Sequence, residues 1–398
     1  MTERHVIDTR AEYLEATEAL AHGTGPAAVD AERASGYRYS QRAYLIQIYR
    51  RDAGIFLFDP PAIGRFDELE AVLAGTEWVL HAASQDLACL REVGLDPHSI
   101  FDTELAARLL GFARVGLGAV VEELLGVHLA KEHSAADWST RPLPEAWLEY
   151  AALDVELLVD VRDRLETLLA EQGKTEIAAQ EFEAVRMRDV KLPKQEPWRR
   201  LSGIHSVRGA RNLAIARELW TARDALARER DIAPGRLVPD ASIIAAVKAE
   251  PKSRAELAAL KSFTGRASRS DIATWWRAIE LGRATDDLPV PRPPSDALPP
   301  PRSWADRNPE ADTRLKSARQ ALAELADAMT MPVENLLTPE TLRRLAWAPP
   351  EPISVATIGA ALADAGARPW QIAATAQPIA DAFIDARQRV SEGDEAAS

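Results

Sequence analysis

Cysteine is almost missing: one residue, Cys89, in 398. A lone thiol excludes a disulfide framework and any zinc site built from several thiolates. There is no run of about 18 uncharged apolar residues, the least a membrane-spanning helix needs. The opening residues MTERHVIDTRAEYL also lack the apolar stretch of a secretory signal. Histidine is sparse as well, with seven residues and no cluster among them. The expectation is a cytoplasmic, monomeric chain with no membrane partner.

Apolar residues make up 46% and charged residues 27%, an ordinary globular composition. At roughly 100–200 residues per domain the length allows two to four domains. The net charge of −13 is unevenly spread. Residues 1–190 hold 18 basic and 34 acidic residues, net −16; residues 191–283 hold 19 and 10, net +9; residues 284–398 hold 11 and 17, net −6. A basic block inside an acidic chain points to a polyanion docked by one region, against the plainer reading of a solvated basic face.

The N-terminal part reads as strands at Ala27–Glu32, Ala43–Arg50 and Gly54–Phe58, joined by short polar turns as an antiparallel meander. Strands then alternate with helices: a helix over 64–74, EWVLHAA, SQDLACLREV, SIFDT, ELAARLLG and LGAVVEELLG. Alternation of this kind predicts parallel additions, hence a mixed sheet flanked by helices in an α/β fold. One long helix is expected from Pro144 to about Gln172. Residues 191–206 read as a basic linker, 207–282 as an all-helical domain, and 283–309 as a proline-rich linker. Between Pro289 and Pro301 seven of thirteen residues are proline, an extended spacer. Residues 310–388 are helical again, and 389–398 are expected to be a disordered tail.

Three places put acids where apolar residues belong. In Val29-Asp30-Ala31-Glu32 the two carboxylates leave the same face of a strand and repel each other unless a cation lies between them. Alone, the pair also fits an exposed strand edge. His81-Ala82-Ala83-Ser84-Gln85-Asp86 joins a strand end to a helix start, where an aspartate is commonly a cap and a histidine a satisfied sheet-end residue. Tyr150 and Asp154 stand i, i+4 on one helix face. Taken together they form an oxygen-only set suited to Mg²⁺ or Mn²⁺. Two such ions about 3.5–4 Å apart clamp the attacking and leaving oxygens in phosphodiester hydrolysis.

The segments VDAERASGYRYSQRAYLIQI, HAASQDLACL and YAALD resemble the three exonuclease motifs of the DEDD superfamily, tyrosine branch. FDTELAARLLG and DWSTRPL resemble the ribonuclease D family in particular, over about 1–190. Residues 207–282, with LVPD and SFTGRASRS, resemble the helical HRDC module, and 310–388 a second, weaker copy. The resemblance implies a ribonuclease H-like exonuclease domain over 1–190 followed by two HRDC-like bundles. It also implies that Asp30, Glu32, Asp86 and Asp154 hold two divalent cations, Mg²⁺ or Mn²⁺, and that Tyr150 orients and helps deprotonate the attacking water. The activity implied is 3′→5′ exoribonucleolytic trimming of single-stranded 3′ ends, of tRNA precursors and other small RNAs, with release of nucleoside 5′-monophosphates. A DNA 3′→5′ exonuclease and a non-catalytic nucleic-acid-binding protein are the rival readings.

Lys131, Trp198, Arg199, Arg200, Arg266 and Arg269 are candidates for contact with the nucleic acid: Lys131 on a loop the family places near the active site, the others as an aromatic platform with charges and a pair of loop arginines. Asp102 and Thr103 read as residues that position the following helix. Trp138 and Trp147 read as packing residues, and Cys89 as a small buried one. If the basic block only grips RNA, a chain cut after about residue 190 keeps the chemistry on short oligonucleotides.

Overall fold

The computed structural model describes residues 5–129, 135–188, 196–263, 265–291 and 297–396, with side chains as far as 389. Six strands form one sheet: β1 (Val6–Ile7), β2 (Thr24–Arg33), β3 (Ala43–Arg51), β4 (Gly54–Phe58), β5 (Trp78–Leu80) and β6 (Ile100–Asp102), in the order β1-β4-β3-β2-β5-β6. The expected antiparallel meander is β2, β3 and β4; β5 adds parallel to β2, and β6 parallel to β5. The sheet is mixed, as the alternation predicts. β1, two residues long and parallel to β4, is too short to leave a periodic signal.

β3 is buried along most of its length, because AYLIQIY is apolar on both faces save one residue, Gln47. The expected single helix from Pro144 is two helices, Glu145–Glu156 and Leu158–Glu171, meeting at Leu157. No glycine or proline marks the break. The buried stripe shifts there, from Leu148, Ala151 and Val155 to Leu158, Val161, Leu165 and Leu169.

The two helical regions attach differently. Residues 196–291 have their own core of Trp198, Leu219, Val238, Ile243, Phe263, Trp275 and Ile279. Helices Ala210–Arg230 and Ile272–Ala284 approach so closely that a Cβ on Gly282 would lie 2.5 Å from the Ile215 Cα, so only glycine fits. Trp198 and Leu201 belong to this core, so from Glu196 onward the expected linker is part of the bundle. The bundle meets the exonuclease domain through a polar seam. The Tyr39 hydroxyl donates to Asp224 (3.0 Å) and the Ser40 N–H to Asp231 (2.8 Å). Arg236 donates to the Gly36 carbonyl (2.7 Å) and lies over the Tyr37 ring.

Residues 297–396 instead share one continuous apolar core with the sheet and its helices. Trp304, Leu315, Leu322, Trp370, Ile379 and Phe383 join Phe101, Leu109 and Phe182 in it. Gly111, at φ 79°, passes within reach of the Thr330 carbonyl, where a Cβ would stand 2.6 Å away. Lys174 donates to the carbonyls of Leu109 (2.6 Å) and Thr330 (3.2 Å). Cutting the chain after residue 190 would therefore strip apolar surface from the exonuclease core, which corrects the expectation of a self-sufficient N-terminal fragment. Trp304 is buried and Pro309 opens the helix Pro309–Ala328, so the end of the proline-rich stretch is structured. The last helix runs Pro369–Ala396, where a disordered tail was expected. Among the described residues no helix is long and apolar enough to cross a membrane.

Candidate active site

Asp30 and Glu32 lie near the C-terminal end of β2, opposite Gln47 and Leu45 of β3. Asp86 stands beyond β5, between a short turn of helix (Ala83–Gln85) and the helix Leu87–Glu92. Its side chain caps neither, which removes the reading of Asp86 as a helix cap. Tyr150 and Asp154 project from the helix Glu145–Glu156, which packs across β2, β3 and β4. All five line one open cavity of about 750 Å³, together with Arg33, His81, Glu104 and Arg108. Carboxylate oxygens of Asp30, Glu32 and Asp154 come within 4.8 Å of one another, close enough to hold one metal ion.

The electrostatics show what the site lacks. Burial and mutual repulsion push Glu32 up to about 10; burial followed by Asp30 pushes Asp154 up to about 8. Asp30 and Asp86 are raised in the same direction, chiefly by burial. The compensation available is slight: Gln47 donates to Asp30 at 3.4 Å and Arg33 stands 3.8 Å from Asp86. Tyr150 hydrogen-bonds Asp154, and its phenol is pushed well above its ordinary range by burial and then by the charges of Asp154 and Glu32. His81, lowered to about 4 by burial, is neutral near pH 7, and its Nδ1 lies 2.9 Å from the Thr103 hydroxyl. Four acids held together with so little neutralisation have the donor chemistry of a site that could hold a cation.

The supporting residues divide as expected in part. Trp138 is fully buried and packs against Trp147 and Tyr150. Cys89 is buried, donates to the Asp86 carbonyl, and has its thiol pushed up to about 12 by burial, so it is inert at neutral pH. Asp102 caps the helix Thr103–Leu109.

The expected nucleic-acid contacts fare unevenly. Trp198 is 3% exposed inside the bundle core and is unavailable for stacking on a base; its ring is covered by Arg199, itself ion-paired with Glu196. The burial of Trp198 is a correction, since a tryptophan flanked by charges reads the same whether its ring faces core or solvent. Arg200, Arg266 and Arg269 are exposed, well away in sequence from the cavity residues. Lys131 lies outside the described residues. The reading from sequence missed Gln47 and Arg33. Gln47 had a signal, as the one polar residue inside an apolar strand. Arg33 had none: it follows Glu32 and would alternate to the other face, but a register shift between Glu32 and Arg33 intervenes.

Residues 4–170 match the family described as 3′-5′ exonuclease, residues 212–279 the HRDC domain, and residues 297–383 the 3′ to 5′ exonuclease C-terminal domain. Ribonuclease D of Pseudomonas paraeruginosa is 32% identical over 269 residues, which cover 67% of this chain and 69% of that protein. Across further relatives of the same name the aligned part covers between 54% and 83% of their length. A solved protein from Bifidobacterium adolescentis superposes with a TM-score of 0.88 at 38% identity, covering 96% of this chain and 97% of that one. Escherichia coli RNase D, described as an exoribonuclease involved in structured RNA processing, superposes with a TM-score of 0.67 at 26% identity, covering 91% and 98%.

Proposed function

The chain belongs to the ribonuclease D family, and from that premise we propose that the cavity of Asp30, Glu32, Asp86 and Asp154 is the active centre of a 3′→5′ exoribonuclease. It releases nucleoside 5′-monophosphates one at a time from 3′-hydroxyl ends, and its substrates are tRNA precursors and other small RNAs. The observation that carries this reading is the convergence of four poorly neutralised carboxylates from two strand ends and a helix on one open cavity.

The donor set fits hard divalent cations, Mg²⁺ or Mn²⁺, because it offers oxygen alone. Asp30, Glu32 and Asp154 would hold one ion, and Asp30 and Asp86 the second. When bound, the cations neutralise the acids and the scissile phosphate, and they acidify the water that attacks it. The remaining work falls to the chain. Tyr150, its hydroxyl tied to Asp154 and its proton held tightly, orients that water by hydrogen bonding. Gln47 fixes Asp30 against β3. The helix Glu145–Glu156 keeps phenol and carboxylate one turn apart on the face that looks into the cavity. Arg200, Arg266 and Arg269 are placed in solvent, where they can meet phosphates of the RNA body.

A 5′-labelled tRNA with a 3′ trailer tests the reading. With Mg²⁺ or Mn²⁺ the label should step down one nucleotide at a time, and EDTA should stop it. Internal cuts, or faster digestion of DNA of the same sequence, would count against an exoribonuclease.

A further inference from the structure

Asp102 does not line the cavity; it is buried behind it. Its Oδ1 accepts from the N–H groups of Ala82 (3.0 Å), Glu104 (3.1 Å) and Leu105 (3.1 Å), and its Oδ2 from Ala83 N–H (2.9 Å). The bonds to Glu104 and Leu105 are an ordinary helix cap, which serine or asparagine would supply equally well. The bonds to Ala82 and Ala83 are surplus to capping and need both carboxylate oxygens.

Those two residues carry Asp86. The Gln85 N–H donates to the Ala82 carbonyl (2.9 Å), on the same peptide whose N–H Asp102 holds, and the Asp86 N–H donates to the Ala83 carbonyl (3.1 Å), one peptide further on. Ala82 itself is left-handed, at φ 61° and ψ 51°, a conformation that side chains other than glycine resist. Its neighbour His81 is fixed on the other side through Thr103, whose hydroxyl also donates to the Leu80 carbonyl (3.1 Å). We propose that Asp102 is a positioning residue for the candidate active site: by clamping the strained turn after β5 to the start of the next helix, it aims Asp86 at the cavity. The proposal rests on the reading of Asp86 as a cation ligand.

Two variants of the full chain separate the clamp from the cap. Asp102→Ser keeps an acceptor for Glu104 and Leu105 but is too short to reach Ala82 and Ala83. Asp102→Asn keeps the length but sets an amide N–H₂ against backbone donors. Mn²⁺ binding to the RNA-free protein, followed by electron paramagnetic resonance, should weaken about 10–100-fold in both, the usual effect of disturbing a group that orients a ligand. kcat at fixed Mn²⁺ should fall and recover as Mn²⁺ is raised, while KM for RNA stays put. Unchanged Mn²⁺ affinity in Asp102→Ser, beside a wild type that binds the ion, would reduce Asp102 to a cap. A wild type that binds no Mn²⁺ would instead defeat the cation reading of the cavity, and the proposal with it. Should neither variant fold, hydrogen exchange of the wild type decides: Ala82 and Ala83 amides that open only with the whole domain support the clamp, and amides that exchange by local opening overturn it.

Discussion

Glu181 and the Asp30–Glu32–Asp86–Asp154 group are both acids withdrawn from water, one under the C-terminal helices, the other beyond the ends of β2 and β5. Glu181 is fully answered. Arg368 reaches it with two N–H groups, at 2.6 and 2.7 Å, and the Trp370 indole N–H adds a third bond at 2.8 Å. The four cavity acids share one amide at 3.4 Å, one guanidinium at 3.8 Å, the Tyr150 hydroxyl on Asp154 and a backbone N–H on Asp30, so a single cation stands near four carboxylates. A buried carboxylate with all its partners holds structure together; a cluster of carboxylates with too little positive charge beside it stores a demand for more. The difference separates a structural joint from the proposed active centre without appeal to family.

Asp30→Asn should break the comparison hardest. Hydrolysis should drop by on the order of 10³ or more, the scale seen when one essential catalytic group is removed. The cation-free variant should nonetheless melt above the wild type, because a neutral amide replaces one of four acids that hinder one another's ionisation. Near-normal turnover in Mg²⁺, or a lower melting temperature in EDTA, would contradict this account.

Arg368→Ala should do the opposite: stability falls and activity per folded molecule holds. Removing one partner of a buried pair costs about 3–5 kcal/mol, here toward the lower figure because about a quarter of the Arg368 side chain meets solvent. Denaturant melts beside active-site-normalised rates would measure both.

Tyr150→Phe should slow hydrolysis about 10–10³-fold, less than loss of a carboxylate, since the hydroxyl orients the attacking water and holds no cation. KM for RNA should stay nearly constant. A full-speed phenylalanine variant would leave Tyr150 as packing for Trp138.

The pH dependence sharpens the contrast further. Glu32 and Asp154, raised to about 10 and about 8, hold protons in the folded protein that the unfolded chain, with ordinary values near 4.5 and 3.8, has lost. Their contribution to stability is therefore whole below about pH 4 and fades as pH climbs toward 8 and beyond. Melting in EDTA should show that decline between pH 5 and 8, and Mg²⁺ or Mn²⁺ should flatten it. The smallest effect belongs to the exposed bundle arginines. Replacing Arg200, Arg266 and Arg269 with glutamine should lower the slope of log affinity against log salt by about 0.7–0.9 for each phosphate that is no longer neutralised. kcat on a dinucleotide should not move, and an unchanged slope would place the RNA elsewhere.

The cavity acids were legible because each interrupts a pattern that should be apolar, in an order and spacing a known family shares. Glu181 was not, since it sits in TEIAAQEFEAVR as one of three glutamates on an ordinary amphipathic helix. Its partners, Arg368 and Trp370, lie almost 190 residues further along the chain. The sequence by itself determined the strands other than β1, the four acids and the basic block, because periodicity, residue chemistry and net charge are local properties of a chain. Only the tertiary structure decided that Trp198 faces inward, that Arg33 turns toward Asp86, that Asp102 holds both sides of a turn, and that the C-terminal helices complete the exonuclease core. Each of these depends on which surfaces meet, and contact between distant segments is fixed by packing rather than by any spacing along the chain.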